Sequence, residues 1–311
     1  MPSTRSRPSR PCPRCWGYRD IPVPDNGYRE RWLTAQDGLR LYFRDYCTPG
    51  GGPAAAATPV LCLPGVSRNS KDFAPLAQRL SRERRVICPD YRGRGRSQYD
   101  PDWRHYHPPV YVDDIRHLLC ALGVHRIHVI GTSLGGILAM VMAVAMPGTV
   151  AGAVLNDIGP EIDISGLAKI IDYLSDDTPL ADWDAVVGRL RETFPDLPAR
   201  SPGDWLTIAR NTYKESPGGG LVHDWDHAIV NQFAKALGGK VSLWPLFKAL
   251  ERVPVLTVHG ARSNILSRKT LSRMADAMPG MARVTVEDCG HPPNLTEANV
   301  LEALDAHLAR A

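Results

Sequence analysis

The sequence lacks the compositional bias that marks several classes of protein. Charged residues make up 23% of it and hydrophobic residues 43%, which excludes a wholly disordered, collagen-like or coiled-coil chain. It contains neither the G-x-x-x-x-G-K motif for nucleotide phosphates nor a dinucleotide-binding fingerprint, so no cofactor is expected. The length of 311 residues instead predicts one sizeable core with an inserted or appended segment.

Cysteine is sparse, and its seven residues are not arranged as a metal site or a disulfide framework. Cys12 and Cys15 form a single C-x-x-C pair, which is a weak zinc signal without a second pair or a histidine. We therefore predict no metal. The other cysteines are scattered through the chain and the total is odd, which favours a reduced, cytoplasmic setting.

The N-terminal segment, residues 1–27, has no continuous apolar run of the kind found in secretory signals. Its six prolines, with arginines between them, predict a disordered or extended tail. Residues 1–31 hold seven arginines and three acidic residues, which accounts for the whole formal charge of +4. The remaining chain is neutral, so a basic face for nucleic acid is not predicted.

One stretch, residues 130–156, has no charged residue and is long enough to span a bilayer. A glycine-rich turn opens it and Pro147-Gly148 interrupts it, which divides it into a strand, a turn, a helix and a second strand. Buried parallel strands produce such apolar runs. We therefore expect an α/β core and no membrane span.

The order of elements predicts a mostly parallel sheet flanked by helices. Asp37-Gly38 between two alternating runs indicates an initial hairpin, and strands then alternate with helices, which implies right-handed parallel crossovers. The alternation stops near residue 160 and resumes after 248. We predict a core of residues 28–160 and 249–311 and a helical insertion at 161–248. The predicted core elements are strands at 60–63, 85–88, 127–130, 151–156, 255–258 and 282–286, and helices at 73–80, 110–122, 134–146, 271–278 and 295–308.

The strand at 127–130 runs into G-T-S-L-G and then a helix, a pattern in which the glycines permit a sharp strand-to-helix turn. Such a turn projects the Ser133 hydroxyl from the sheet edge. The helix N-terminus beside it favours developing negative charge. Because a serine hydroxyl needs a base, a histidine is expected on a later loop, and His291, between the last strand and last helix, is the candidate.

Five motifs fall in the order shown by the α/β-hydrolase fold family: L-P-G-V at 63–66, P-D-Y-R-G-R-G-R-S at 89–97, G-T-S-L-G at 131–135, N-D-I-G-P at 156–160 and G-H at 290–291. Residues 28–311 therefore resemble this family, with the insertion as a cap over the site. The resemblance implies a serine–acid–histidine triad and an oxyanion hole formed by the backbone N–H groups of Val66 and Leu134. It also implies that Arg68 and Asn69, just after the oxyanion loop, are candidates to contact substrate.

The acid of the triad is uncertain. Relatives usually place an aspartate in the loop after the strand at 255–258, where this chain has Asn264. An asparagine carries no charge to stabilise the imidazolium, and this replacement in a serine protease costs about 10⁴ in turnover. Three explanations are open: Asp157 has taken over the role, the residue was altered to trap a bound state, or the protein is an impaired member. Asp288 and Glu161 are weaker candidates.

The leading hypothesis is a hydrolase of small carboxylic esters or lactones that acts through an acyl-enzyme on Ser133. The alternatives are a C–C bond hydrolase of the same fold and a catalytically impaired ligand-binding or sensor protein. The arginines at 92–96 are expected to pair with neighbouring carboxylates or face water. The expected partner is a small-molecule acyl substrate, and the oligomeric state is left open.

Overall fold

The computed structural model describes residues 27–47, 57–233 and 242–310. The predicted N-terminal tail, with Cys12 and Cys15, lies outside the described residues except for Gly27. Within the described ranges, no helix is both long and apolar enough to cross a membrane.

The described strands, in chain order, are β1 Arg29–Thr34, β2 Arg40–Tyr46, β3 Val60–Leu63, β4 Val86–Pro89, β5 Ile127–Thr132, β6 Val150–Asn156, β7 Tyr213–Glu215, β8 Leu221–His223, β9 Val255–Gly260 and β10 Ala282–Val286. Eight of them form one sheet in the order β1-β2-β4-β3-β5-β6-β9-β10. The β1–β2 and β2–β4 pairs are antiparallel and the other pairs are parallel. This order confirms the predicted, mostly parallel sheet.

The described α-helices are α1 Ala74–Leu80, α2 Pro108–Ala121, α3 Leu134–Ala145, α4 Ile164–Ser175, α5 Trp183–Thr193, α6 Pro202–Thr212, α7 Trp244–Lys248, α8 Arg268–Ala277 and α9 Ala298–Leu308. Short 3-10 helices occupy Ser70–Phe73, Trp103–His105, His227–Phe233 and Ala249–Arg252. Helix α2 begins two residues before its predicted start because proline is well tolerated in the first helical turn.

The central strands are buried on both faces, which explains their continuous apolar sequence. Along β3, Leu61 belongs to a core cluster shared with α2 and α3, whereas Val60 and Cys62 belong to a second cluster shared with α1 and α9. Successive strand residues point to opposite faces, so the two clusters are the two layers of helix on sheet. The uncharged run 130–156 accordingly forms the end of β5, helix α3 and strand β6.

The insertion leaves the sheet after β6 and returns at β9, which lies beside β6 with Ala153 opposite Val255. It contains α4 to α7. It also contains the antiparallel pair β7–β8, which the sequence pattern did not predict. These strands have three residues each, too few for an alternating pattern to be recognised.

A pair of histidines is buried between strands β5 and β6 and helix α9. His128 on β5 and His307 on α9 have ring centroids 5.9 Å apart and flank Gly152 of β6. Neither ring nitrogen of His128, nor Nε2 of His307, has a hydrogen-bond partner within the described part of the chain. Burial, with a smaller contribution from cationic neighbours, lowers the pKa of each imidazole to about 4; these neighbours are His307, Arg84 and Arg126 for His128, and Arg310 for His307.

We expect acid to destabilise the fold through this pair. Because the folded-state pKa values lie below the unfolded value of about 6.5, the unfolded chain binds more protons between pH 6.5 and 4. The contribution of the two neutral histidines to stability is therefore complete above pH 6.5. It decreases as the pH is lowered from 6.5 to 4, by up to about 1.4 kcal/mol per pH unit for each histidine. Urea unfolding at several pH values measures the slope.

A double substitution, His128→Leu with His307→Leu, should flatten the slope of stability against pH between 6.5 and 4. His117→Leu, on the partly exposed face of α2, is the control and should leave the slope as in the unmodified protein. An unchanged slope in the double variant would show that other groups cause the acid sensitivity.

Candidate active site

Ser133 lies in a strained turn between β5 and α3. Its backbone has φ 52° and ψ −115°, a conformation that residues with a Cβ rarely adopt, and its side chain is partly exposed. It is the N-cap residue of α3, so the N–H of Leu134, at the first position of the helix, has no carbonyl one turn earlier to bind. The turn therefore presents a hydroxyl and a backbone donor side by side.

Close packing explains the two glycines that flank this turn. A Cβ on Gly131 would lie 2.3 Å from the carbonyl carbon of Gly135. A Cβ on Gly135 would lie 2.0 Å from the carbonyl oxygen of Leu63, at the end of β3. The turn can thus pack against the loop that follows β3 only if both residues lack side chains.

His291 and Asp157 are brought together by different strands. Asp157 directly follows β6 and is fully buried, and His291 lies in the loop between β10 and α9. Nδ1 of His291 is 2.8 Å from Oδ2 of Asp157, and Oδ1 of the same carboxylate accepts the Gly260 N–H at 2.9 Å. Because an ionised carboxylate only accepts, Nδ1 is the protonated nitrogen and Nε2 is left free to act as a base.

Asn264 does not take part in this arrangement. It is exposed in the loop between β9 and α8, and its carbonyl packs against Gly166 of α4. Of the other carboxylates considered, Asp288 is exposed and bonds Arg262, and Glu161 bonds Trp244 and Arg273. Among the sequence candidates for the acid, the carboxylate that contacts His291 is therefore that of Asp157.

Asn156 makes connecting hydrogen bonds at the site that the sequence did not predict. It ends β6, is almost fully buried, and its Nδ2 donates to Oγ1 of Thr132 at 3.0 Å and to the carbonyl of Pro293 at 2.9 Å. These bonds connect the residue before Ser133 with the loop that carries His291. The signals for this strand end in the sequence were the N-D-I-G-P motif at 156–160 and the candidate acid Asp157.

The loop after β3 lies against the serine. A Cβ on Gly65 would be 3.7 Å from Cβ of Ser133, and the next residue, Val66, is buried. Val66 and Leu134, which the resemblance assigned to the oxyanion hole, thus belong to the two segments that meet at Ser133. The carbonyl oxygen of Val66 accepts Nε–H of Arg94 at 2.9 Å.

Arg68 and Asn69 hold the insertion to the core. Arg68 makes a two-bond pair with Asp72 and a short bond to Thr212 at the end of α6. The amide nitrogen of Asn69 donates to the carbonyl of Asn211 at 3.0 Å and to Asp224 at 3.3 Å. These contacts satisfy most of their polar atoms.

Asp224 is the centre of the same network. It lies just after β8, is mostly buried, and pairs with Nζ of Lys71 at 2.9 Å and of Lys214 at 3.5 Å. Elsewhere the insertion reaches the His291 loop: Gly290 N–H donates to the Asp196 carbonyl at 2.7 Å. The insertion therefore contacts both the segment after β3, at Arg68 and Asn69, and the loop that carries His291, at Gly290.

The insertion carries a buried aromatic cluster behind these contacts, formed by Tyr173, Phe194, Tyr213, His223 and Trp225. The His223 ring stacks on Trp225 with centroids 4.0 Å apart and bonds the Tyr213 hydroxyl at 2.7 Å. Burial lowers the pKa of His223 to about 4. A neutral imidazole can form this hydrogen bond with the Tyr213 hydroxyl in either direction. Because it carries no charge, its burial does not leave an ion without solvation.

The three arginines of the loop after β4 have different environments. Arg92 is buried and pairs with three carboxylates, those of Asp37, Asp100 and Asp114. Arg96 is exposed and pairs with Glu30. Both follow the expectation for this loop. Arg94 does not, because it is fully buried and forms no ion pair with a described carboxylate.

Asp37, Asp100 and His105 also form the cluster of described residues that could in principle hold a metal ion. Nη1 of Arg92 bonds Asp37 at 2.7 Å and Asp100 at 2.6 Å. The guanidinium therefore already supplies the positive charge between these carboxylates.

Comparison with known proteins shows the family to which this fold belongs. The model of the alpha/beta hydrolase fold family matches residues 58–298. The 3-hydroxybutyrate-oligomer hydrolase of Cupriavidus necator is 31% identical over 277 residues, 83% of this chain and 94% of that protein. The 2-(acetamidomethylene)succinate hydrolase of Mesorhizobium japonicum is 28% identical, covering 83% of this chain and 90% of that protein.

Among solved structures, an alpha/beta hydrolase from Novosphingobium aromaticivorans superposes with a TM-score of 0.85 at 39% identity, covering 92% of this chain and 99% of that one. The chain belongs to the α/β-hydrolase fold family, which confirms the resemblance found in the sequence.

We expect Gly131→Ala to destabilise the protein by about 1 to 3 kcal/mol, because the new methyl group would overlap backbone atoms of Gly135. Gly188→Ala is the matched control: it lies within α5 with no atom within 4 Å of a new Cβ, and should stabilise by about 0.5 to 1 kcal/mol. Thermal and urea unfolding measure both. Equal effects at the two positions would contradict the close packing of the turn.

Asp224→Asn should loosen the insertion, since it leaves Lys71 and Lys214 without their shared carboxylate. We expect a loss of about 1.5 to 3 kcal/mol and faster amide hydrogen exchange at β7, β8 and the end of α6. Asp305→Asn removes the exposed pair with Arg79 and should change stability by less than about 1 kcal/mol. Unchanged exchange in Asp224→Asn would show that this pairing does not hold the insertion.

Proposed function

We propose that this protein is a serine hydrolase of carboxylic esters, including lactones, with Ser133 as nucleophile, His291 as base and Asp157 as the acid of the triad. The observation that carries the proposal is the 2.8 Å contact between His291 Nδ1 and Asp157 Oδ2. It supplies the charged partner that Asn264 cannot supply. The strained turn at Ser133 supports the assignment of the nucleophile.

The reaction proceeds through an acyl-enzyme. Nε2 of His291 takes the Ser133 proton as Oγ attacks the substrate carbonyl, and Asp157 stabilises the imidazolium that forms. The carbonyl oxygen becomes an oxyanion that accepts hydrogen bonds from the backbone N–H groups of Val66 and Leu134. His291 then protonates the leaving alcohol, and water activated by the same imidazole hydrolyses the acyl-enzyme.

The relatives support the ester as substrate class. The Cupriavidus necator protein, which this chain matches over most of both lengths, is named for hydrolysis of 3-hydroxybutyrate oligomers. Those oligomers are joined by ester bonds between short hydroxy acids. We place the insertion 161–248 as a cap that excludes water and shapes the pocket, because it contacts both the oxyanion loop and the His291 loop.

A C–C bond hydrolase is the second candidate. It is supported by the similarity to a hydrolase from Mesorhizobium japonicum that is named for a substrate that is not an ester. The third alternative, an impaired sensor, depended on Asn264, and it loses support because the His291 ring has a buried carboxylate partner. A panel of p-nitrophenyl esters, lactones and β-diketones separates these functions.

The roles of the two acid candidates make a direct test. Asp157→Asn should lower kcat by about 10⁴, as the equivalent change does in a serine protease, while Asn264→Asp should leave kcat within about threefold. Ser133→Ala should abolish labelling by a p-nitrophenyl phosphonate. The measurements are ester hydrolysis and labelling per folded protein.

Because Asp157 also bonds Gly260, Asp157→Asn is compared with Asp157→Glu by circular dichroism before rates are interpreted. Full activity of folded Asp157→Asn, or a large gain in Asn264→Asp, would sink the assignment of Asp157. Hydrolysis that survives Ser133→Ala would contradict the nucleophile.

A further inference from the structure

Arg94 is a buried cation whose polar contacts are with backbone carbonyls. It lies in the loop after β4 and is 0% exposed. Its Nε donates to the carbonyl of Val66 at 2.9 Å and its Nη1 to the carbonyl of Arg92 at 2.8 Å. Its Nη2 is buried with no hydrogen-bond partner among the residues that the structure describes.

Arg94 forms no direct ion pair with a described carboxylate. By contrast, its neighbour Arg92 pairs with three carboxylates, and Arg96 pairs with one. The Arg94 guanidinium instead lies over the rings of Tyr106 and Tyr111, with its central carbon 5.4 and 5.0 Å from their centroids. A buried unpaired charge is costly for folding, and such departures from the usual pairing tend to occur at functional sites.

The position of Arg94 relates this charge to the proposed reaction. The Val66 carbonyl that it binds belongs to the residue whose N–H is one of the two proposed oxyanion donors. Gly65, the preceding residue, lies against Ser133. The backbone of Arg94 also pairs with Trp225 of the insertion, which covers the loop from the other side. A charge in such a water-excluded site acts more strongly than it would in solvent.

We infer that Arg94 is a positioning residue of the oxyanion hole. Its Nε–H holds the Val66 carbonyl, in the peptide after Val66, and this restrains the Val66 backbone so that the N–H of the same residue points toward the substrate carbonyl. Its charge lowers the energy of the negative oxygen that forms there. This inference depends on the proposed function, because it requires an oxyanion on a carbonyl attacked by Ser133.

The test compares Arg94→Met with Arg94→Lys, which keeps the charge, and with Arg96→Met, a neighbour in the same loop that lies away from the site. Active sites are titrated with a p-nitrophenyl phosphonate, so that only folded, reactive enzyme is counted. Rates are measured on p-nitrophenyl butyrate. Affinity is measured for butylboronic acid, which forms a tetrahedral anion on the serine.

We expect Arg94→Met to lower kcat per titrated site about 10- to 100-fold with KM within about threefold, and to weaken boronic acid binding by a similar factor. Arg94→Lys should recover part of the loss, and Arg96→Met should behave as the unmodified enzyme. A purely structural role would lower the melting temperature and the number of titrated sites, and would leave the rate per site unchanged.

A rate per site within about twofold of the unmodified enzyme in Arg94→Met would overturn the inference, as would equal losses in the methionine and lysine variants. Should Arg94→Met fail to fold, Arg94→Gln replaces it in the comparison with Arg94→Lys. If the unmodified protein neither hydrolyses esters nor takes the phosphonate, the proposed function itself fails. If it does both while the Arg94 variants match it, only the inference about Arg94 fails.

Discussion

The buried carboxylate of Asp157 is the group on which the arrangement of the site depends. A carboxylate that is removed from water needs partners for both oxygens, and Asp157 has one on each side: the Gly260 N–H at the end of β9 and Nδ1 of His291. It therefore joins the end of β6 to the end of the neighbouring strand and to the loop after β10. The same two bonds that satisfy the carboxylate also set the orientation of the imidazole.

The other parts of the site are held by backbone geometry and by contacts with the insertion. The tight turn at Ser133 packs on the end of β3 because Gly131 and Gly135 lack side chains. Asn156 connects this turn to the His291 loop. The insertion then contacts the segment after β3 through Arg68 and Asn69 and the histidine loop through Gly290. The loops that carry Arg68, Asn69 and Gly290 therefore also hold the insertion.

Much of this could be predicted from local sequence. The strands at 60–63 and 282–286 have the same bounds in the structure, and the positions of Ser133 and His291 follow from motifs within a few residues. The strands β7 and β8 could not be predicted because each has three residues. Arg94 could not be told from Arg92 and Arg96, since all three occupy one glycine-rich loop and differ only in what surrounds them.

The sequence by itself determined the order of the core strands and helices, the fold family and the strand-turn-helix at Ser133, because periodicity and glycine spacing act over a few residues. Only the tertiary structure decided which acid faces His291. Asp157 and His291 are 134 positions apart, and what brings them together is the parallel pairing of β6, β9 and β10. The choice between Asp157 and Asn264 depends on which of the two side chains is buried at the end of its strand and faces His291. No local sequence pattern determines this.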